Sequence, residues 1–124
     1  MSYSRAFMPV ISVGIATADG VSVCSHLARC AGVVVFRIED GAVASKTLRS
    51  RADEACGNHR TFTELLEGCS AVICGGIGQG AVNSLAAAGV QSIVLAAPMS
   101  IEAAAAGYLA GSLVTTEERV CLCG

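Results

Sequence analysis

The sequence predicts an α/β domain in which a mixed five-stranded sheet carries helices on its faces, and three observations predict it. Hydrophobic residues make up 53% of the 124 residues while aromatics make up only 4%, so the core must be built from layers of Val, Ile, Leu and Ala. Asp40-Gly41 separates two β-rich runs, and a two-residue Asp-Gly loop in that setting is a strong hairpin signal. From residue 70 onward, strand-like and helix-like patterns alternate strictly, which implies parallel strands joined by right-handed crossovers.

The elements follow in order. "VISVGIA" (10–16) is a buried strand that ends towards the Asp19-Gly20 turn. "VVVFRIE" (33–39) and "AVASKTL" (42–48) form the antiparallel hairpin, and polar "RSRADEACGNHR" (49–60) is expected as a long loop. Thr61 and Glu64 have the spacing of a capping box, which predicts a short helix that buries Phe62, Leu65 and Leu66 and stops at Gly68. Strand 70–74, helix 79–88, strand 91–96 and helix 101–110 complete the chain, which at this length suits one domain.

Composition removes several classes of function. Eight Lys and Arg stand against ten Asp and Glu, for a net charge of −2, so no basic surface is available for a phosphate backbone and nucleic acid is not an expected partner. Residues 69–101 carry no charge, yet Gly, Ser, Gln, Asn and Pro interrupt them well short of the roughly 20 apolar residues a bilayer requires. A membrane is therefore not expected either. Arg5, the apolar stretch after it and the A-x-A at Ala16 to Ala18 imitate a signal peptide. Pro9, Ser12 and Gly14 break that stretch, and it suits a first strand better. Seven cysteines is an odd number, which favours a reducing cytoplasm over a disulfide framework. Cys69 and Cys74, on either side of "SAVI", fit as small buried hydrophobes.

The loop "CGGIGQGA" (74–81) sits where a strand hands over to a helix. Gly76, Gly78 and Ala81 satisfy the spacing of a dinucleotide site. The acidic residue expected about 20 positions on, at the end of the next strand, is missing, because the first carboxylate after the loop is Glu102 inside the following helix. No Lys-Ser/Thr pair follows as a phosphate-binding P-loop would need. What remains is a glycine loop at a helix start, which can either hold an anion through Gly75, Gly76 and Gly78 or simply turn tightly and pack closely.

Soft ligands cluster elsewhere. "CSHLARC" (24–30) places Cys24 and His26 two apart, on one side if the segment is extended, with Arg29 and Cys30 close behind. Cys56 and His59 form a second soft pair, and Cys121 and Cys123 a third at the C-terminus. Imidazole together with thiolate suits zinc, copper and iron–sulfur species. No C-x-x-C pair exists, so the set is sparse. Sparse ligation suits a protein that must pass its metal on, since each added ligand slows release.

The order "VGIATADGVSVCSHLARC", "FRIEDGAV", "LLEGCSAVICGGIGQGAVNSLAAAGVQSIVLA" and "SIEAAAAGYLAGSL" resembles the dinitrogenase iron-molybdenum cofactor-binding family over roughly residues 10–113. The match is carried by Ser25, His26 and Arg29, by Glu39-Asp40-Gly41, by Gly75-Gly76-Ile77-Gly78 with Ala81 and Leu85, and by Gly111 with Leu113. Where the family often has His-Phe-Gly, this chain has His26-Leu27-Ala28. The resemblance implies a ribonuclease-H-like three-layer fold without nuclease activity. It also implies a non-catalytic, nitrogenase-related carrier of an iron-molybdenum or other metal–sulfur cluster, acting in cofactor assembly or delivery.

On that reading residues 1–9 are an extension, 10–114 the cofactor-binding domain and 115–124 a tail. His26, His59, Cys24, Cys56, Cys121 and Cys123 are candidate metal ligands, and Arg29 and Arg60 with the amides of Gly75, Gly76 and Gly78 offset cluster charge. Expected partners are the cluster and its donor and acceptor proteins, with the chain acting as a monomer or weak homodimer. A small-molecule or nucleotide-sensing module using the glycine loop, and a Cys-dependent enzyme built on Cys24 or Cys30 with His59, are the alternatives.

Overall fold

The computed structural model describes residues 10–27, 30–50, 52–53, 58–59, 65–115 and 120–121, with only the backbone at 50, 52–53, 58–59 and 120–121. Its centre is a five-stranded sheet formed by β1 (Ile11–Thr17), β2 (Gly32–Glu39), β3 (Ala42–Ser50), β6 (Ala71–Cys74) and β8 (Gln91–Val94). The strand order is β3-β2-β1-β6-β8. β1 runs antiparallel to β2 and parallel to β6, and β6 runs parallel to β8. This is the mixed sheet the sequence predicts.

The β2–β3 hairpin turns on Asp40 and Gly41, both in the left-handed region at φ 53° and 75°. Two successive positive φ values match the right-handed twist of the flanking strands. That requirement is why Gly follows Asp there. β3 lies on the sheet's edge and is exposed from Ala42 to Leu48, so no buried face imposes alternation on its sequence. It also runs two residues further than expected, pairing Ser50 with Gly32. Within the stretch expected as a loop, β4 (Ala52–Asp53) and β5 (Asn58–His59) pair as a small antiparallel ladder, with Ala52 opposite His59.

Alternate residues of the central strands pack on opposite sides of the sheet. Ala16, Val33, Val35, Val72 and Cys74 face a cluster with Leu65, Leu66 and Leu85 of helix α1 (Gln79–Ala87). Val13, Ile15, Val34, Phe36 and Ile73 face Ile101, Ala104 and Ala105 of helix α2 (Ile101–Ala110). The result is three layers with helices on both faces. Small residues let the layers approach: a Cβ at Gly14 would collide with Leu66 Cδ2.

Both helix boundaries follow from local chemistry. The Ser100 hydroxyl accepts the Ala103 amide at 3.1 Å at the start of α2, Glu102 lies in its first turn, and Gly111 closes it at φ 68°. Helix α1 starts at Gly78 with no side-chain cap. Gly68 ends the 65–67 turn at φ 83°, as expected, while the Thr61–Glu64 capping box and Phe62 lie outside the described residues. Arg49 holds this turn by donating to the carbonyls of Leu65 and Glu67 at 2.8 and 3.0 Å.

Candidate functional site

The chain leaves β1 towards β2 on one side and leaves β6 towards β8 on the other, so the adjacent parallel strands β1 and β6 part company at their carboxyl ends. In open α/β sheets such a divergence is where ligands sit. Two of the motifs singled out from sequence emerge there: residues 24–27 follow β1, and residues 75–78 follow β6.

The turn after β1 is fixed by its own side chains. The Asp19 carboxylate accepts the amides of Ser22 and Val21 at 2.9 and 2.8 Å. These bonds, Ser22's first, hold its pKa below the usual carboxylate value. Thr17 is 2% exposed, donates from Oγ1 to the Ser22 carbonyl and accepts the Gly20 amide, both at 2.8 Å. Beside this turn a shallow hollow of about 200 Å³ opens between Thr17, Asp19, Gly32 and Leu48. The chain then returns to β1, with the Cys24 amide donating to the Ala16 carbonyl at 2.7 Å.

From Cys24 the backbone joins the glycine loop. The Gly75 amide donates to the Cys24 carbonyl and the Leu27 amide donates to the Gly76 carbonyl, both at 2.8 Å. A Cβ at Gly75 would lie 2.9 Å from the Cys24 carbonyl oxygen and 3.0 Å from Ser25 Cα. Glycine is needed there because another stretch of backbone crosses it, and its amide is engaged within the chain. Gly76 and Gly78 are buried as well. Of the two roles the sequence left open for this loop, close packing accounts for Gly75.

Residues 24–27 bend rather than extend, and this changes where Cys24 points. Its thiol donates to the His26 carbonyl at 3.1 Å, and the Cys30 thiol donates to the same oxygen at 3.2 Å. Both cysteines are buried, at 9% and 3% exposure, while His26 is half-buried. Cys74 lies in the same core cluster. Burial pushes its thiol up to about 12, with Cys24 nearby adding to the effect. Cys69, at the opposite end of β6, is also raised by burial. Both cysteines that bracket β6 are therefore core thiols, as the sequence suggests.

The C-terminal segment joins the same end of the sheet. β7 (Ile77–Gly78) pairs in parallel with β9 (Val120–Cys121), and Cys121 stands opposite Gly78. β3 ends at this level too, since Ser50 pairs with Gly32 and Gly32 with Thr17. The β4–β5 ladder bearing His59 starts two residues later. Thus the backbone brings His26, Cys24, Cys121 and the glycine loop together and starts the His59 ladder from the same end. Arg29, Cys56, Arg60 and Cys123 lie outside the described residues. Among the described residues, no group of three His, Cys, Asp or Glu is placed to hold a metal ion, and no helix is long and apolar enough to cross a membrane.

The sequence reading missed the shared His26 carbonyl and the pairing of Cys121 with Gly78. The Cys24-x-His26 and Cys30 spacing signals proximity but not the bend that produces it, and a two-residue strand leaves no periodicity to detect.

A family model described as dinitrogenase iron-molybdenum cofactor matches residues 9–111. No curated protein shows significant sequence similarity to the chain. Among solved structures, PH0822 superposes with a TM-score of 0.72 at 18% identity, covering 87% of this chain and 98% of its own. A candidate dinitrogenase from Methanocaldococcus jannaschii gives 0.68 at 16% identity, covering 89% and 98%. A candidate NifB protein from Thermotoga, placed in the DUF35 family, gives 0.62 at 22% identity, covering 87% and 98%. At these identities the structural likeness speaks for the fold alone.

Proposed function

Because the chain belongs to the dinitrogenase iron-molybdenum cofactor family, we propose that it carries an anionic metal–sulfur cluster at the carboxyl ends of β1 and β6, without catalysing a reaction on it. One observation supports this most: the backbone bonds joining Cys24 to Gly75 and Leu27 to Gly76, with the strand pairing that sets Cys121 opposite Gly78, gather three motif-bearing segments at one end of the sheet.

The donor set suits such a cargo. Sulfur and imidazole dominate, and soft ligands favour iron–sulfur and copper-type species over magnesium or calcium. The Asp19 carboxylate, in the turn after β1, is occupied by its own turn. His26 and His59 ligate in this reading, and Cys24, Cys56, Cys121 and Cys123 supply thiolates. Arg29, Arg60 and the loop amides other than that of Gly75, which donates to Cys24, offset the negative charge of the cluster. Few ligands from each segment leave part of the cargo open, which suits transfer from a donor protein to an acceptor during cofactor assembly.

Titration with an iron–molybdenum–sulfur cluster, followed by visible absorption and metal content, tests the assignment. The wild-type protein is expected to take up the cluster, and a His26→Ala, His59→Ala double variant to bind it about tenfold more weakly or worse. Equal uptake by a folded double variant would contradict the site.

A further inference from the structure

Cys30 has no part in the carrier site above, yet its sulfur and that of Cys24 meet at one atom. Both thiols donate to the His26 carbonyl oxygen, at 3.1 and 3.2 Å, so the two sulfurs gather around a single acceptor. The loop folds back to allow this, with the Cys30 amide donating to the Leu27 carbonyl at 3.1 Å. Both side chains belong to the apolar cluster under α1. A neutral disulfide is compatible with such surroundings.

We infer that Cys24 and Cys30 are a redox couple that closes to an intraloop disulfide. The oxidant is a low-molecular-weight disulfide of the glutathione class. One cysteine, as its thiolate, attacks a sulfur of the oxidant and releases one thiol. The second then attacks the mixed disulfide and releases the other. The protein loses two electrons and two protons, one sulfur–sulfur bond forms between Cys24 and Cys30, and the oxidant is reduced to two thiols.

Closure has a consequence for the site, which rests on the carrier reading. It withdraws both S–H donors from the His26 carbonyl and takes the Cys24 sulfur out of the ligand set. The bonds from Gly75 to Cys24 and from Leu27 to Gly76 tie this same loop to the glycine loop. Oxidation therefore reshapes the segment that presents His26, and the reduced protein is the form that accepts a cluster.

The sequence makes the couple easy to read. Trypsin cuts after Arg29, between the two cysteines, and gives peptides 6–29 and 30–37 with one cysteine each. Full-length protein is equilibrated across a series of glutathione ratios, alkylated, digested and analysed by mass. The expected result is a linked 6–29/30–37 pair under oxidising ratios that separates on reduction with dithiothreitol. Absence of that linked pair at every ratio, or a preferred link from either cysteine to Cys74, would overturn the couple without any variant having to fold.

Uptake of the iron–molybdenum–sulfur cluster is then compared between the two forms. A fall of about tenfold or more on oxidation is expected, and equal uptake by both forms would overturn the regulatory role. If neither form takes up cluster while the linked peptide still appears, the carrier reading fails and the couple stands.

Discussion

Cys69 and Cys74 bracket β6, while Cys24 and Cys30 bracket the loop after β1, and the two pairs use sulfur differently. The β6 thiols are separated by the strand, and burial raises both. The loop thiols are equally enclosed but converge on one carbonyl, in a segment bonded to the glycine loop. Burial alone makes a cysteine a packing residue; convergence with other chemical groups makes it a candidate for function.

The largest effect that sharpens this contrast lies at high pH. The Cys74 thiol ordinarily ionises near 9.0, but in the folded protein it holds its proton to about 12. Its contribution to stability is complete below pH 9 and is lost as pH rises through that window, because the unfolded chain ionises first. The loss amounts to on the order of 4 kcal/mol by pH 12. Urea unfolding at a series of pH values should show this alkaline fall, and Cys74→Ala should flatten it. A fall of the same size in the variant would mean that Cys74 is not the group responsible.

A second, smaller effect concerns the clamp between the loops. Gly75→Ala places a methyl against the backbone of Cys24 and Ser25, which cannot rotate away as a side-chain end can. It should cost about 1–3 kcal/mol by thermal or urea unfolding and should weaken cluster uptake at the same time. Unchanged stability would show that the loop yields there without cost.

The smallest effect serves as a control from the far end of the sheet. Cys69→Ala removes a buried sulfur and should cost about 1 kcal/mol, measured as a lower urea midpoint. Cluster uptake should not change, since Cys69 precedes β6 and the site follows it. Reduced uptake in a folded Cys69→Ala protein would erase the distinction between the two pairs.

These residues also show how far the sequence alone could be followed. The hairpin at Asp40-Gly41 was legible because only a few residues tolerate two positive φ values, and α1 and α2 were legible because their patterns alternate with strands over long stretches. β3 extended beyond its expected end because an exposed edge strand carries no inside–outside alternation to mark where it stops. β4, β5, β7 and β9 are two residues each, too short to show a periodicity, and β7 pairs with β9 far along the chain, which local patterns cannot report. The glycine loop was conspicuous, but its spacing fitted both an anion cradle and a tight crossing. Only the position of the Cys24 carbonyl separates those roles at Gly75.

The central claim is that one end of the sheet receives the cargo, and amide resonances of isotopically labelled protein test it directly as iron–molybdenum–sulfur cluster is added. The account predicts shifts or broadening concentrated at residues 24–27, 75–78 and 120–121, with Asp40, Gly41 and Cys69 unaffected. Perturbation centred on the Asp40-Gly41 end, or spread evenly over the sheet, would contradict it.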